Sequence, residues 1–266
     1  MFTFKRFTVI FFILLLVLNL WSFFACHQPD CFLCSHLLLC YFLVFVIYFG
    51  VSVAMAFVPR SNFHYPVISS GNTDQPWVSL TFDDGPNPEK TPFILEILKK
   101  YNLKATFFCP GKNIQANMEL ATRIHEEGHI IGNHSFSHSK WFDFIPAYKM
   151  KAELLKTDQL IRDVTGKSPL FFRPPYGVIN PMVSKTLRKM HWEVICWNIW
   201  SMDTLNLNSS KTMNKIISLL KPGGIILVHD HTTFIQQNLE ALIQNINRKG
   251  FMIVPLDQLL KMKAYA

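Results

Sequence analysis

Cysteine is scarce in this sequence, and its positions exclude a disulfide-stabilised fold. There are six cysteines in 266 residues. The two outside the N-terminal quarter, Cys109 and Cys196, each end an apolar run, so we expect two buried free thiols. The other four fall in or beside an apolar N-terminal region: Cys26, Cys31, Cys34 and Cys40.

Glycine-rich phosphate loops, internal repeats and blocks of like charge are also missing. The formal charge is +8, and residues 61–266 carry 23 basic against 17 acidic side chains, spread along the chain. Such a weak, dispersed excess is typical of a solvated basic surface that suits an anionic wall polymer or a membrane. We therefore predict no nucleic-acid partner.

Apolar residues, in contrast, dominate the first 58 positions. The stretch from Phe7 to Ala25 is almost wholly apolar, and the stretch from Leu37 to Val58 carries no charge. Each is about the length that crosses a bilayer. The pattern predicts a signal or transmembrane region over 1–58 and a membrane-associated protein.

The sequence leaves the orientation of these segments open. Lys5 and Arg6 favour a cytoplasmic N-terminus, and two full spans would then return the rest of the chain to the cytoplasm. Cleavage at the lipoprotein-like Cys26, or after Ala56, would instead place the remainder outside.

Beyond a linker predicted at 59–76, strand-like and helix-like stretches alternate to the end of the chain. The strand-like runs are 77–82, 105–109, 129–133, 170–173, 192–197, 225–229 and 251–254. Helix-like segments are 89–101, 112–127, 147–165, 181–190, 209–220, 236–248 and 256–263. Seven β/α units over 77–262 predict an α/β domain with a parallel sheet.

Reactive residues follow five different strands, which favours a barrel over a doubly wound sheet. In a barrel, side chains from many strand ends converge on one face, whereas a doubly wound sheet gathers them at one switch point. With about seven units, we expect a distorted (β/α) barrel.

The first two strand ends of interest carry carboxylates and imidazoles. Asp83 and Asp84 end the run that starts at Trp77, and adjacent side chains there diverge, so one can bind a metal while the other faces water or substrate. His134 and His138 share one face if their segment forms a helical turn. Two histidines and an aspartate form a catalytic metal set with open positions.

Two later strand ends add candidates for catalysis. Arg173 can hold a carboxylate through two hydrogen bonds, and the N–H of Tyr176, after Pro174 and Pro175, can stabilise an oxyanion. Leu227 and His229 alternate to one side of their strand, which predicts an apolar wall beside a proton donor. Asp203 is a candidate partner for His229.

Taken in order, four motifs resemble the polysaccharide deacetylases of carbohydrate esterase family 4, the NodB-type domain. They are Asp83-Asp84, His134-x3-His138, Arg173-Pro-Pro-Tyr176-Gly and Leu227-x-His229. The resemblance spans 77–262 and implies a divalent metal, zinc or alternatively cobalt. It also implies an N-deacetylase, a hydrolase acting on linear amides, whose metal-bound water attacks the acetyl groups of N-acetylglucosamine in chitin oligomers or peptidoglycan.

The resemblance also implies a role for each matching residue. Asp83 would be the general base, positioned by Arg173; the metal ligands would be Asp84, His134 and His138. The Tyr176 N–H would donate to the oxyanion, His229 would be the general acid oriented by Asp203, and Leu227 would line the acetyl pocket beside Pro174. One motif departs from the family, because Trp200 and Thr204 stand where an aspartate and a tryptophan are usual. Trp200 or Trp197 would then supply the missing wall.

Two alternatives remain at this stage: a membrane-tethered glycan-binding module without turnover, and a zinc amidohydrolase acting on a non-sugar amide. All of the implied base, ligand and acid residues are present, which favours the deacetylase. Because a cytoplasmic domain could not reach a mature wall, we expect the catalytic domain to be extracytoplasmic.

Overall fold

Two long apolar helices precede the α/β domain. The computed structural model describes residues 3–25, 32–58, 60–205 and 208–266. Helix α1 spans Phe4–Ala25 and helix α2 spans Phe32–Ala56, and each contains a 21-residue stretch long and apolar enough to cross a bilayer. The two helices pack together where the rings of Phe7 and Tyr48 stack at 5.2 Å. The candidate cleavage site at Cys26 lies outside the described residues.

The end of α2 is attached directly to the domain. The carbonyl of Ala56 accepts a hydrogen bond from the N–H of Ile179 (3.0 Å), and His64 contacts the carbonyl of Ser52 at 2.9 Å. The segment predicted as a linker also lies against the domain, since Phe63 and His64 are buried and Ile68 pairs with Ile195. Helices and domain are therefore joined by a packed segment.

A parallel sheet forms the centre of the domain, as the apolar runs predict. Seven strands follow the order β5-β4-β3-β2-β1-β7-β6, and β8 pairs with β1. The strands are β1 Trp77–Asp83, β2 Thr106–Cys109, β3 Ile130–Asn133, β4 Phe171–Phe172, β5 Glu193–Val194, β6 Ile199–Trp200, β7 Gly224–His229 and β8 Met252–Ile253.

The run predicted as one strand at 192–197 contains only the short strand β5, and a second short strand, β6, follows it at the opposite end of this order. β5 pairs with β4, whereas β6 pairs with β7. Only residues 195–198 separate them, so the two edges of the sheet lie within about 18 Å of each other. This short crossing requires the sheet to curl, and the expected distorted barrel is confirmed.

Helices cover the outside of the sheet. They are α3 Thr91–Lys100, α4 Gly111–Ala116, α5 Met118–Glu126, α6 Ala147–Thr165, α7 Pro181–Leu187, α8 Ser209–Ser218, α9 Thr233–Arg248 and α10 Leu256–Leu260. The single helix expected at 112–127 is divided at Asn117, whose φ of −139° is not helical. Cys109 and Cys196 are buried free thiols, as expected.

Candidate active site

A cavity of about 600 Å³ lies at the carboxyl ends of the strands. Parallel strands bring their carboxyl ends to one face of a barrel, so residues far apart in sequence meet there. Its lining includes Asp83, Asp84, Asn87, Pro110, Lys112, Asn113, His134, His138, Tyr176, Trp197, Trp200, Thr204, Leu227, His229 and His231.

Asp83 is the last residue of β1 and is almost fully buried. Its Oδ1 accepts a hydrogen bond of 2.6 Å from Nη1 of Arg173, and its Oδ2 lies 3.7 Å from Nε2 of His134. One carboxylate oxygen is thus held by the guanidinium of Arg173 while the other faces the imidazole of His134. This geometry keeps the second oxygen oriented toward the cavity.

Arg173 does not hold Asp83 through the two parallel hydrogen bonds expected from sequence. It is fully buried, and its other donors go to the Thr81 hydroxyl and to the carbonyls of Ile195 and Cys196. Those two carbonyls belong to the irregular segment between β5 and β6. Arg173 therefore connects the segment that closes the barrel to the carboxylate of Asp83.

Asp84 turns away from β1 in the left-handed region, with φ of 73°. Its carbonyl accepts a 2.6 Å hydrogen bond from Asn113 Nδ2. The following Gly85 is required by a close approach, since a Cβ there would lie 2.2 Å from Oδ2 of Asp230. The Asp-Asp-Gly turn thus directs the Asp84 carboxylate into the cavity, away from that of Asp83.

His134 and His138 come together through a loop, not through the helical turn expected from their spacing. The segment after β3 is irregular, and both Ser135 and His138 have positive φ angles of 61° and 48°. The two imidazole rings nevertheless lie 4.7 Å apart. Left-handed residues reverse the chain locally and bring the rings onto the same side as a helix would.

Asp84, His134 and His138 form a group that fits a divalent ion. Their ligand atoms lie within 4.8 Å of one another, and Oδ1 of Asp84 is 3.2 Å from Nε2 of His138. Two ligands bound to one tetrahedral zinc stand about 3.3 Å apart, given zinc–ligand bonds of about 2.0–2.1 Å. Two nitrogens and one carboxylate oxygen leave further positions open, as in catalytic sites.

The protonation of both histidines suits a ligand role. Nδ1 of His134 lies 2.7 Å from the carbonyl of Arg173, which fixes a hydrogen on Nδ1 and leaves the lone pair on Nε2 facing Asp84. Burial, with a smaller contribution from the neighbouring His134, lowers the pKa of His138 to about 4. A neutral imidazole is the form that binds a metal.

His229 ends β7 directly beside Asp83, because these two residues pair in register between β7 and β1. Nδ1 of His229 lies 2.8 Å from Oδ1 of Asp203, and Oδ2 of Asp203 accepts the His229 N–H at 2.8 Å. Burial acts to lower the pKa of His229, but the hydrogen bond and charge of Asp203, with the charges of Asp83 and Asp84, raise it to about 9. The hydrogen bond and charge of Asp203 therefore favour the protonated imidazole.

Aromatic and apolar side chains form the remaining wall of the cavity. Trp197, Trp200 and Leu227 all line it, together with Thr204 and the exposed Tyr176. Tyr176 has a left-handed backbone (φ 57°) and its ring lies 4.9 Å from that of His138. Pro174 is buried and is not among the lining residues.

Sequence reasoning missed several residues at the site. Asn113 and His231 contact Asp84, the latter with Nδ1 at 3.6 Å from Oδ2. Asp230 is fully buried behind Gly85, where burial raises its pKa to about 7. The His-Asp-His sequence at 229–231 could have indicated that His231 belongs to the site. Asn113 lies on a helix and in no recognisable motif, so the sequence gave no indication of its role.

The chain matches known proteins along this domain. Residues 70–195 match the family model described as polysaccharide deacetylase. A peptidoglycan-N-acetylglucosamine deacetylase of Bacillus cereus is 32% identical over 74% of this chain and 73% of its own length. The peptidoglycan-N-acetylmuramic acid deacetylase PdaA of Bacillus subtilis is 32% identical over 74% of this chain and 76% of its own.

A solved structure of a deacetylase also resembles this chain in fold. The crystal structure of a peptidoglycan N-acetylglucosamine deacetylase superposes with a TM-score of 0.70 at 31% identity, covering 74% of this chain and 94% of that one. The chain belongs to the polysaccharide deacetylase family. The enzyme class predicted from sequence, an N-deacetylase that hydrolyses linear amides, is confirmed with it.

Proposed function

We propose that this protein removes N-acetyl groups from the amino sugars of peptidoglycan in a metal-dependent hydrolysis. The observation that carries the proposal is the group formed by Asp84, His134 and His138, which lies beside Asp83 in one cavity. Relatives named for N-acetylglucosamine and for N-acetylmuramic acid deacetylation are equally similar to the chain. We propose N-acetylglucosamine as the sugar, because several relatives named for it match the chain and a solved structure of one such deacetylase superposes with a TM-score of 0.70.

We propose zinc as the ion held by the two histidines and Asp84. Two nitrogen ligands and one oxygen ligand suit zinc better than magnesium or calcium, which prefer oxygen ligands. When bound, such an ion supplies Lewis acidity to the amide carbonyl and to water. Cobalt would fit the same ligands.

The protein's own groups supply the proton transfers. Asp83, whose Oδ2 is not held by Arg173, takes the proton from the attacking water. His229 is held protonated by Asp203 and gives its proton to the departing nitrogen. Because Asp83 and His229 end adjacent strands in register, their backbones are about 4.8 Å apart and both side chains line the same cavity.

The rest of the cavity binds and orients the sugar. We propose that the Tyr176 N–H, on a loop stiffened by two prolines, donates to the oxyanion. Leu227 contacts the acetyl methyl group. Trp200, which is 39% exposed at the rim, supplies the flat surface on which a sugar ring packs and so takes the place of an aromatic residue at Thr204.

Replacing Asp203 by asparagine should move the alkaline limit of activity to lower pH. Asp203 raises the pKa of His229, so His229 keeps its proton up to about pH 9, or somewhat less once a cation is bound nearby. Without that charge the pKa should fall toward about 6.5, and activity should be lost above that value. The pH dependence of kcat/KM measures the shift; Asp163→Asn, on the exposed face of α6, is the matched control.

The proposed role of His229 would be wrong if Asp203→Asn and the wild type lost activity at the same alkaline pH. A lowered kcat with an unchanged alkaline limit would indicate that Asp203 only stabilises the loop at 201–205. The shift in pH therefore separates an electrostatic role from a structural one.

The choice of sugar can be tested from the products. Peptidoglycan treated with the enzyme, digested with a muramidase and analysed by mass spectrometry should show free amines on glucosamine and intact N-acetyl groups on muramic acid. Chitin oligomers treated in parallel test whether the muramic acid neighbour is needed. Free amines confined to muramic acid would contradict the proposed sugar.

We further propose that the domain faces the outside of the cell, where peptidoglycan lies. The N–H of Phe4 donates to the carbonyl of Phe63 at 2.7 Å, so Lys5 and Arg6 lie on the same side of the helices as the domain. These two charges alone favour the cytoplasm, and the proposal rests instead on where the substrate lies. Protease added to intact cells should therefore cleave the domain. A protected domain would instead indicate a cytoplasmic enzyme acting on glycan precursors at the inner leaflet.

A further inference from the structure

Three large aromatic side chains project from the segment that follows His138. Trp141, Phe144 and Tyr148 are 59%, 69% and 71% exposed. The backbone that carries them is well fixed, because Phe142 is buried and the carbonyl of Asp143 accepts a 2.6 Å hydrogen bond from Asn180. A group of exposed aromatic residues on an ordered segment is typical of an interaction surface. We call these three residues the aromatic patch.

The aromatic patch adjoins the point at which α2 enters the domain. Asn180, which holds Asp143, follows Ile179, whose N–H donates to the carbonyl of Ala56 at the end of α2. Phe57 and Val58, directly after α2, are 60% and 41% exposed. Exposed apolar surface therefore begins where the candidate span ends. It is connected to the patch through Ile179 and Asn180, which hydrogen-bond to Ala56 and Asp143 respectively.

The chemistry of this surface matches the headgroup region of a bilayer. Tryptophan and tyrosine have an apolar ring and a polar group, and they concentrate at both membrane interfaces. Exposed lysines flank the patch: Lys140 Nζ lies 5.6 Å from the ring of Trp141, and Lys149 directly follows Tyr148 on α6. Lysines close to a membrane are attracted to anionic lipids.

We propose that the aromatic patch inserts into the headgroup region of the membrane that α1 and α2 span. The patch and the helices then hold the domain at two points, which fixes its orientation on the bilayer. The patch begins three residues after His138, and Ile179 lies three residues after Tyr176, so both sides of the cavity rim are linked to the membrane contact. The cavity opens beside the lipid surface and favours glycan held near the membrane; this consequence rests on the proposed function.

The contact can be tested with the full chain in nanodiscs of phosphatidylcholine and phosphatidylglycerol. Part of the phosphatidylcholine carries bromine just below the headgroup, which quenches nearby tryptophan fluorescence. The emission of Trp141 is obtained as wild type minus Trp141→Phe, and that of Trp200 as wild type minus Trp200→Phe. Trp200 is the matched control, being exposed at the cavity and outside the patch. Trp21, in α1, reports insertion of the helices in the same way.

We expect brominated lipid to quench Trp21 and Trp141 strongly and Trp200 little. Unquenched Trp141 beside quenched Trp21 would overturn the proposal. Unquenched Trp21 would show that the helices do not insert and would overturn it as well. Emission of Trp141 that responds to soluble chitin oligomers and not to brominated lipid would make the patch a glycan-binding surface instead. None of these readings depends on enzyme activity.

Discussion

Asp83→Asn should lower kcat by about 10³-fold while leaving metal binding nearly unchanged. A general base contributes typically 10²–10⁴-fold, and asparagine cannot accept the proton. Asparagine keeps a carbonyl oxygen for the 2.6 Å hydrogen bond from Arg173, so the loop should keep its shape. The three candidate ligands, Asp84, His134 and His138, are untouched.

Steady-state acetate release and the bound metal content of purified protein measure these two effects separately. Full turnover in Asp83→Asn would contradict the assignment of Asp83 as the base. Loss of metal in the same variant would show that Asp83 is a metal ligand. The 3.7 Å distance between Oδ2 of Asp83 and Nε2 of His134 does not by itself favour that role over the role of base.

His134→Ala should abolish both metal binding and turnover. His134 is one of three candidate ligands and is buried, so neither a neighbouring side chain nor a water molecule readily takes its place as a ligand. Changes in groups that merely support a ligand cost about 10–100-fold in metal affinity, and removal of the ligand itself should cost more. Calorimetric titration of the chelated protein with zinc measures the affinity.

His191→Ala is the matched control for this variant, because His191 is exposed and lies on the short connection before β5. The control should bind zinc as the wild type does. Wild-type zinc affinity in His134→Ala would contradict the proposed metal site. A thermal unfolding curve for each variant confirms that the comparison is between folded proteins.

The positions of the candidate catalytic residues could be predicted because they follow from strand ends. A parallel sheet brings the carboxyl ends of its strands to one face, so Asp83, His134, Arg173 and His229 could be placed together from the pattern alone. The alternation in β7 likewise predicted that Leu227 and His229 face one space, and both line the cavity.

Features that depend on distant contacts were not predictable. The apolar run 192–197 is continuous in sequence, but only β5 lies within it, because pairing with β4 ends at Val194 and pairing with β7 begins at Ile199. The acceptors of Arg173 could not be predicted, because the carbonyls of Ile195 and Cys196 become available only where the chain leaves β5 and crosses to β6. The spacing of His134 and His138 could not distinguish a helical turn from the observed loop.

The most direct test of the account is acetate release from peptidoglycan by the full chain in detergent, before chelation, after chelation and after zinc is added back. We predict that chelation stops release and that about one equivalent of zinc per chain restores it, as expected for one site with three ligands. Release that continues in the fully chelated protein would contradict the metal-dependent mechanism. Absence of release from folded, zinc-bound protein would contradict the proposed activity and favour a glycan-binding module.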